Sequence, residues 1–303
     1  MAQAILVGVD GSDSALHATR WAAHEAVRRH TPLHLFHACV LPPLGPHVTA
    51  ATEAGVTETL IEQGHQWLRL AKGVAWEAEP GVEVRTELRV GLAAGELIGE
   101  SAHALLVVLG SRGLGGFKGM LVGSVSSGVA AHGHCPVVVV RGRLPGDAPP
   151  EGGPVVVGVD GSEVSDSAVA FAFEEASLRN VPLVAVHTWI DVSVAETWSA
   201  LPFDVDWEAV AEDERRLLAE RMAGWQEKYP EVEVRQRVVR DRPVRGLLGE
   251  AGDAQLIVVG SRGRGAFKGM GLGSTSQALL HHSECPVAVV RPSGVAHGRE
   301  TAS

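Results

Sequence analysis

Short apolar runs alternate with longer stretches of mixed polarity along the chain. A helical stretch such as Ser14 to Arg29 carries a broad apolar face. The predicted strands of the first half are Ile5 to Val9, Leu33 to Ala38, Val82 to Leu88, Leu105 to Leu109 and Pro136 to Val140. This alternation of strands and helices predicts an α/β fold, in which a doubly wound parallel sheet carries helices on both faces.

The second half of the chain repeats the first at an offset of 150 residues. Val7 to Ser12 recurs as Val157 to Ser162, and nine of the eleven residues from 110 to 120 match their partners. A repeat on this scale predicts two tandem, Rossmann-like domains joined by a linker rich in proline and glycine. The predicted bounds are 1–143 for the first domain, 144–153 for the linker and 154–303 for the second domain.

A glycine-rich pattern follows the fourth predicted strand of each half, where Gly-Ser-Arg-Gly precedes Gly-Ser by nine residues. Glycines at a strand end let backbone N–H groups approach an anion, and the N-terminus of a following helix adds roughly half a positive charge. The final serine stands where it donates to a phosphate or caps its own helix. The predicted phosphate-binding residues are Gly110, Ser111, Arg112, Gly113, Gly123, Ser124, Gly260, Ser261, Arg262, Gly263, Gly273 and Ser274.

An aspartate follows the first strand of each half. Ligands of an open doubly wound sheet bind at the carboxyl ends of the strands, so Asp10 and Asp160 are expected at the same rim as the glycine-rich loops. A carboxylate there accepts hydrogen bonds from ribose hydroxyls or adenine, and Gly8 and Gly158 permit close approach to the backbone. The alternative is that each aspartate caps the following helix, alone or with the serine two residues on.

Composition and charge narrow the class of protein. Of the net charge of -10, residues 1–150 carry -2 (11 basic and 13 acidic groups) and residues 151–303 carry -8 (15 basic and 23 acidic groups). An acidic surface repels a phosphate backbone, which disfavours DNA and RNA as partners. With no signal peptide, no apolar run of membrane-spanning length and three cysteines at no disulfide spacing, a cytoplasmic location away from membranes is expected.

Other chemistries find less support. Neither half contains the Gly-x4-Gly-Lys-Ser/Thr pattern of a P-loop, and Lys118 and Lys268 are solvated loop residues or phosphate contacts. His34 and His37 point to opposite faces of one strand. Two clusters with ligand-type residues precede the last strands but lack a further ligand, so no metal site is predicted. These clusters are His132, His134 and Cys135, and His281, His282 and Cys285.

The Val-Asp-Gly-Ser strand end, the glycine-rich pattern and the final Cys-Pro-Val-x-Val-Val strand together resemble the universal stress proteins. The chain resembles the tandem two-domain form of the family that is common in actinobacteria. The resemblance occurs once in each half and so covers nearly the whole chain. The glycine-rich pattern is specific to the ATP-binding branch of that family, in which the nucleotide is hydrolysed slowly or not at all.

The resemblance implies a place for each part of the nucleotide. Asp10 and Asp160 are expected at the adenosine and the glycine-rich residues at the phosphates of ATP, with Mg²⁺ as a candidate companion ion. The segments after the second strands, Ala38 to Val40 and Thr188 to Asp191, are expected to meet adenine mainly through the backbone. Asp191 is counted among the predicted binding residues.

We expect a regulatory nucleotide-binding protein that has one ATP site per domain and acts in stress response or growth control. The rival is an enzyme, a slow ATPase or adenylate-transferring protein of related fold. No base is paired with a nucleophile near the proposed phosphates, so no catalytic residue is assigned. A structural stress protein with empty sites is a third alternative, which the intact glycine patterns oppose. Whether ATP, cAMP or another adenine nucleotide binds stays open, as does the downstream partner.

The last strands, 137–140 and 287–290, are apolar edge strands of their predicted sheets. Because an exposed apolar edge invites pairing, they are expected to pair with each other and join the two domains, as the resemblance also implies. Two whole chains are expected to pair further, as a homodimer.

The two predicted sites differ in charge, because three arginines of the second half replace apolar residues of the first. The replaced pairs are Val90 and Arg240, Leu92 and Arg242, and Leu114 and Arg264. Charges within a Debye length of about 8 Å affect binding, so the second site, with Arg264, is expected to attract a triphosphate more strongly. The alternative is that these arginines pair with Asp241 or face solvent.

Overall fold

The protein is described from a computed structural model over residues 3–42, 49–114, 122–142, 148–189, 206–263 and 271–292. The strands of the first half are β1 (Ala4–Gly8), β2 (Leu33–Cys39), β3 (Val84–Val90), β4 (Ala104–Gly110) and β5 (Val137–Val140). Those of the second half are β6 (Val155–Gly158), β7 (Leu183–Thr188), β8 (Val234–Val239), β9 (Leu256–Gly260) and β10 (Val287–Val290). Within these ranges they form one sheet in the order β3-β2-β1-β4-β5-β10-β9-β6-β7-β8.

Helices cover both faces of this sheet. Those of the first half are α1 (Asp13–Arg28), α2 (Ala50–Ala78), α3 (Ala93–Ser101) and α4 (Ser124–His132). Those of the second half are α5 (Glu163–Arg179), α6 (Trp207–Lys228), α7 (Pro243–Glu250) and α8 (Ser274–His282). Two apolar cores result, one under α1, α2, α5 and α6 and the other under α3, α4, α7 and α8. The predicted doubly wound α/β fold is confirmed.

Local sequence explains where these elements begin and end. The hydroxyl of Ser12 accepts a hydrogen bond from the N–H of Ala15 and so caps the start of α1. The four valines of β5 are at most 1% exposed, because the strand lies in the middle of the sheet and is covered on both faces.

The third strand begins two residues later than predicted. The predicted first residue, Val82, has an apolar side chain, and that side chain is indeed buried. Its N–H, however, donates to the carbonyl of Glu79 in a turn that follows α2. The strand then begins at Val84 and ends at Val90.

The two halves of the sheet meet at β5 and β10. These strands pair antiparallel, with Val138 opposite Ala288, whereas the neighbouring strands within each half are parallel. The predicted pairing of the two last strands is confirmed. One continuous sheet therefore holds both domains in a fixed relation.

Four charged side chains close a ring where α1 meets α5, and each is at most 6% exposed. Arg29 Nε lies 2.5 Å from Glu25 Oε1, and its Nη2 lies 2.6 Å from Glu175 Oε1. Arg179 completes the ring, with Nη2 2.6 Å from Glu25 Oε2 and Nε 2.9 Å from Glu175 Oε2. Because these four residues are related by the repeat, each domain contributes the same pair.

The ring is desolvated, so its charges depend on one another. Burial by itself raises the pKa of Glu175, but Arg179 and Arg29 outweigh it and hold the pKa below its ordinary value. The aromatic rings of Trp21 and Phe171 lie against the two guanidinium groups. Arg29 also pairs with the partly exposed Glu174, at 2.7 Å. Removing one member of the ring leaves its buried charges unbalanced, which is costlier than losing an exposed pair.

Candidate functional site

Asp10 ties the end of β1 to the glycine-rich loop that follows β4. Its Oδ1 accepts hydrogen bonds from the N–H and hydroxyl of Ser12, at 3.1 and 2.6 Å. Its Oδ2 accepts a 3.0 Å hydrogen bond from the N–H of Leu114. The helix cap itself is Ser12, so Asp10 supports the cap and also fixes the loop 104 residues away in sequence.

A cavity of about 310 Å³ opens beside this junction, at the carboxyl ends of the first-domain strands. The predicted residues that line it are Gly8, Asp10, Gly110, Arg112, Gly113, Gly123 and Ser124. Its other walls come from Phe36 and His37 at the end of β2, and from Ala93 and Leu97 on α3. The structure therefore brings the strand-end aspartate and the glycine-rich loop to one cavity.

Glycine is required at two positions of the loop, because neighbouring atoms leave no room there for a Cβ. A Cβ at Gly110 would lie 2.6 Å from the backbone of Ser14, and one at Gly113 would collide with Oδ2 of Asp10. Ser111 differs from the other predicted residues. It is 7% exposed, its N–H donates to the carbonyl of Val140, and it holds the loop from beneath rather than lining the cavity.

The N-terminus of α4 faces the cavity. Gly123 is the N-cap residue, and no side chain caps the helix. Ser124 is therefore the first residue of the helix rather than its cap, because the β conformation needed for capping falls on Gly123. Ser126 anchors the helix, because its hydroxyl donates a 2.7 Å hydrogen bond to the carbonyl of Gly110. Free N–H groups at such a helix end favour an anion.

Arg141, which follows β5, was missed by the sequence analysis. Burial and the neighbouring charge of Arg112 lower its pKa, and it donates to the carbonyls of Leu280 and His281 at the end of α8, at 2.8 and 2.7 Å. The signal that could have found it is the repeat, since Arg291 stands at the same place in the second half. Arg141 therefore ties the end of β5 to the end of α8, and of the two neighbouring arginines it is Arg112 that lines the cavity.

The second site is built on the same hydrogen bonds. Asp160 Oδ1 accepts from the N–H and hydroxyl of Ser162, at 2.9 and 2.8 Å, and Ser276 donates 2.6 Å to the carbonyl of Gly260. A Cβ at Gly263 would collide with Asp160. Gly158, Arg262, Gly273 and Ser274 occupy the places of Gly8, Arg112, Gly123 and Ser124, and Ser261 is buried like its partner. Asp191 and Arg264 lie outside the described residues.

The mouths of the two sites differ. Around the first, Val90, Leu92 and Leu114 are 49%, 73% and 61% exposed. At the corresponding edge of the second, the guanidinium of Arg240 lies 4.2 Å from the ring of Trp207 and 5.5 Å from that of Trp189. The structure thus places Arg240 against two indoles rather than in the phosphate loop.

Asp241 is paired with Arg245 at 3.3 Å, and its carboxylate accepts from the N–H of Arg242. Arg240 is therefore oriented by the tryptophans and not by this aspartate. The expectation that the second site attracts a triphosphate more strongly stays a prediction.

The cysteines of the two histidine clusters are poor candidates for metal ligands. Burial raises the pKa of Cys135 to about 12 and that of Cys285 to about 11, so neither thiol ionises readily. None of the described helices combines the length and the apolar character that a membrane span requires.

Comparison with known proteins identifies the family to which the chain belongs. The model of the universal stress protein family matches twice, at residues 1–141 and 153–291. A universal stress protein of Mycobacterium tuberculosis (strain H37Rv) is 42% identical over 293 residues, covering 95% of this chain and 96% of that protein. One of Mycolicibacterium smegmatis is 43% identical over 303 residues, covering 95% and 97%.

A solved structure agrees in fold. The crystal structure of a universal stress protein from Archaeoglobus fulgidus aligns with a TM-score of 0.69 at 22% identity, over 95% of this chain and 96% of that one. The similarity therefore extends over both repeats and their arrangement along the chain.

Proposed function

Because the chain belongs to the universal stress protein family, we propose that it binds one ATP in each domain and acts as a regulatory protein rather than an enzyme. The observation that carries this proposal is the first-domain cavity, where Asp10, the glycine-rich loop and the N-terminus of α4 meet. The loop and the helix N-terminus suit the phosphates of a nucleotide, and Asp10 suits its nucleoside.

The loop side of the cavity suits phosphates. The uncapped N-terminus of α4 offers backbone N–H donors and the positive end of the helix dipole. Gly113 and Gly123 leave the backbone open to an anion, and Arg112 lines the same wall. Three features of independent origin thus favour negative charge at one place.

The strand side suits the nucleoside. Asp10 Oδ2 accepts one hydrogen bond from the protein, and a carboxylate oxygen has room for a second, so a ribose hydroxyl has an acceptor there. Phe36, Leu97 and Leu109 supply apolar contact for a flat ring. At about 310 Å³ the cavity is at the lower end of the size range for small-molecule sites.

Hydrolysis is not part of the proposed function. The titratable side chains that line the described cavity are Asp10, His37 and Arg112. Asp10 already accepts hydrogen bonds on both oxygens, and His37 Nδ1 donates to the carbonyl of Val9 at 2.7 Å. The remaining ring nitrogen of His37, Nε2, stands against Gly64 of α2, where an added Cβ would lie 3.0 Å from it. Neither group is therefore arranged as a base for an attacking water at the phosphate loop. A slow ATPase is the rival, and turnover measured alongside binding separates the two.

Isothermal titration of the full chain with ATP, ADP, cAMP and GTP tests the proposal. We expect two ATP per chain, weaker binding of GTP and no phosphate release on the timescale of the titration. Absence of heat with every nucleotide would overturn the proposal, and catalytic phosphate release would favour the slow ATPase.

A further inference from the structure

A second polar site lies in the first domain, in the groove between β2, β3 and α3. His34 on β2, Glu87 on β3 and Glu100 on α3 bring one ligand-type atom each to within 4.8 Å of one another. None of the three lines the nucleotide cavity. Their side chains are partly buried, at 20%, 36% and 23% exposure, so each is held by its surroundings while still reached by solvent.

The histidine is oriented toward the carboxylates. Its Nε2 lies 3.2 Å from Glu87 Oε2, and its ring stands edge-on to Phe36, with the ring planes at 89°. Ligand atoms about 2.0 Å from a tetrahedral metal lie about 3.3 Å from each other, so this first pair already has the spacing of two ligands. The ligand-type atom of Glu100 lies within 4.8 Å of the other two, and its side chain is 23% exposed, so binding a metal would require only a small adjustment of this third ligand.

Arg89 orients the carboxylates from behind. Its Nη1 lies 2.8 Å from Glu100 Oε1 and 3.2 Å from Glu96 Oε2, and its Nη2 pairs with Glu87 Oε1. The guanidinium itself rests on the ring of Phe36. Because Arg89 uses Oε1 of Glu87 and of Glu100, the second oxygen of each carboxylate is left for another partner. Ligating carboxylates in metalloproteins are commonly held in this way.

The charge balance of this cluster points to a divalent cation. Three carboxylates (Glu87, Glu96, Glu100) surround one guanidinium, and with a neutral imidazole the sum is -2. The second domain has no such set at the 150-residue offset. The residues there are Val184 for His34, Arg237 for Glu87, Val239 for Arg89, Gly246 for Glu96 and Glu250 for Glu100. There, Arg237 and Glu250 form a simple ion pair at 3.4 Å.

We propose that His34, Glu87 and Glu100 bind a divalent transition-metal ion of the zinc class, with water completing the coordination. The imidazole ligand selects zinc, cobalt or nickel over magnesium and calcium, which take oxygen ligands. The bound ion would fasten edge strand β3 and helix α3 to β2 in the first domain. The proposal stands independently of the nucleotide sites.

Titration of the nucleotide-free, chelator-treated full chain with Zn²⁺ tests it, since ATP would itself capture the metal. We expect one zinc ion per chain. His34→Gln, Glu87→Gln and Glu100→Gln should each weaken binding at least about tenfold. His132→Gln is the matched control from the histidine cluster before β5 and should leave the affinity unchanged.

The Co²⁺ complex of the unmodified protein gives a second readout that does not depend on the folding of any variant. Nitrogen and oxygen ligands should give visible d–d bands without the thiolate-to-cobalt charge-transfer band that a cysteine ligand produces. A thiolate band, a wild-type chain that binds no Zn²⁺, or loss of binding in His132→Gln alone would overturn the proposal.

Discussion

The two nucleotide sites proposed here share their frame and differ at their mouths. In both, an aspartate binds the serine two residues on, and a serine of the following helix binds the carbonyl of the first loop glycine. Around the first mouth stand exposed apolar side chains, and beside the second stands Arg240 between two tryptophans. The hydrogen bonds that shape the backbone are thus kept in both halves, while the groups that meet solvent have diverged.

This difference has a physical reason. A change at Gly113 or Gly263 would push against the aspartate, so the frame tolerates little substitution. Leu92, by contrast, is 73% exposed and contributes little to packing, so an arginine in its place costs little stability. We therefore expect the frame to decide whether a nucleotide binds and the rim to adjust how strongly.

The largest effect is expected from breaking the buried ion-pair ring that joins the two domains carrying these sites. Glu175→Gln removes one charge from the buried ring between the domains and leaves Arg179 and Arg29 undercompensated. The free energy of unfolding should fall by about 3 to 5 kcal/mol, as for other buried ion pairs that lose a partner. Urea unfolding followed by circular dichroism measures it.

The control for this variant is Glu62→Gln, which removes the partner of Arg69 in an exposed pair. Its unfolding midpoint should match that of the unmodified protein. Equal midpoints for Glu175→Gln and Glu62→Gln would mean that the ring does not hold the domains together.

The next effect separates the two sites. Gly113→Val should displace Asp10 and block the first site, and Gly263→Val should displace Asp160 and block the second. At an ATP concentration about 100 times the dissociation constant, each intact site adds roughly 2.7 kcal/mol to stability. The thermal shift caused by ATP should therefore shrink in each single variant and vanish in the double variant.

Gly99→Ala with Gly249→Ala is the matched control, because the two glycines are repeat partners whose added Cβ meets nothing within 4 Å. That double variant should keep the full ATP shift. A folded Gly113→Val/Gly263→Val protein with an unchanged shift would refute the assignment of the phosphate loops.

A smaller effect is expected from the difference between the mouths. Isothermal titration of Asp160→Ala and Asp10→Ala isolates mainly the first and mainly the second site. The second site should bind ATP more tightly by about 1 kcal/mol, roughly fivefold in dissociation constant, and with a steeper dependence on salt. Equal affinities with the same salt dependence would show that the arginines of the rim do not act on the nucleotide.

The smallest effect concerns Arg240 alone. Because the guanidinium lies against Trp189 and Trp207 and not in the loop, Arg240→Val should reduce the difference between the sites only in part. The salt dependence of the Asp10→Ala background, measured with and without Arg240→Val, reports this. Complete loss of the difference would mean that Arg240 reaches the phosphates when ATP binds.

Much of this fold could be predicted from the sequence, because the apolar runs indicate the strands and the repeat indicates the two domains. The pairing of β5 with β10 followed from two apolar edges, each a run of four residues. The predicted start of β3 at Val82 was wrong, because this apolar side chain is buried from a turn that precedes the strand. Burial and strand pairing are different properties, and an apolar residue indicates only the first.

The site was less accessible to sequence reasoning where it depends on distant contacts. That one carboxylate binds both Ser12 and Leu114 cannot be obtained from local pattern, because these partners meet only in the folded sheet. The grouping of His34 with Glu87 and Glu100 was hidden for the same reason. The spacing along the chain relates His34 only to His37 on the same strand. The spatial neighbours of His34 are Glu87 on β3 and Glu100 on α3.

Native mass spectrometry of the full chain, purified without added nucleotide and then titrated with ATP, tests the central claim most directly. The account predicts that two ATP bind per chain, and that Gly113→Val and Gly263→Val each leave one. A chain that never carries more than one ATP, or a Gly113→Val/Gly263→Val variant that still carries two, would contradict it.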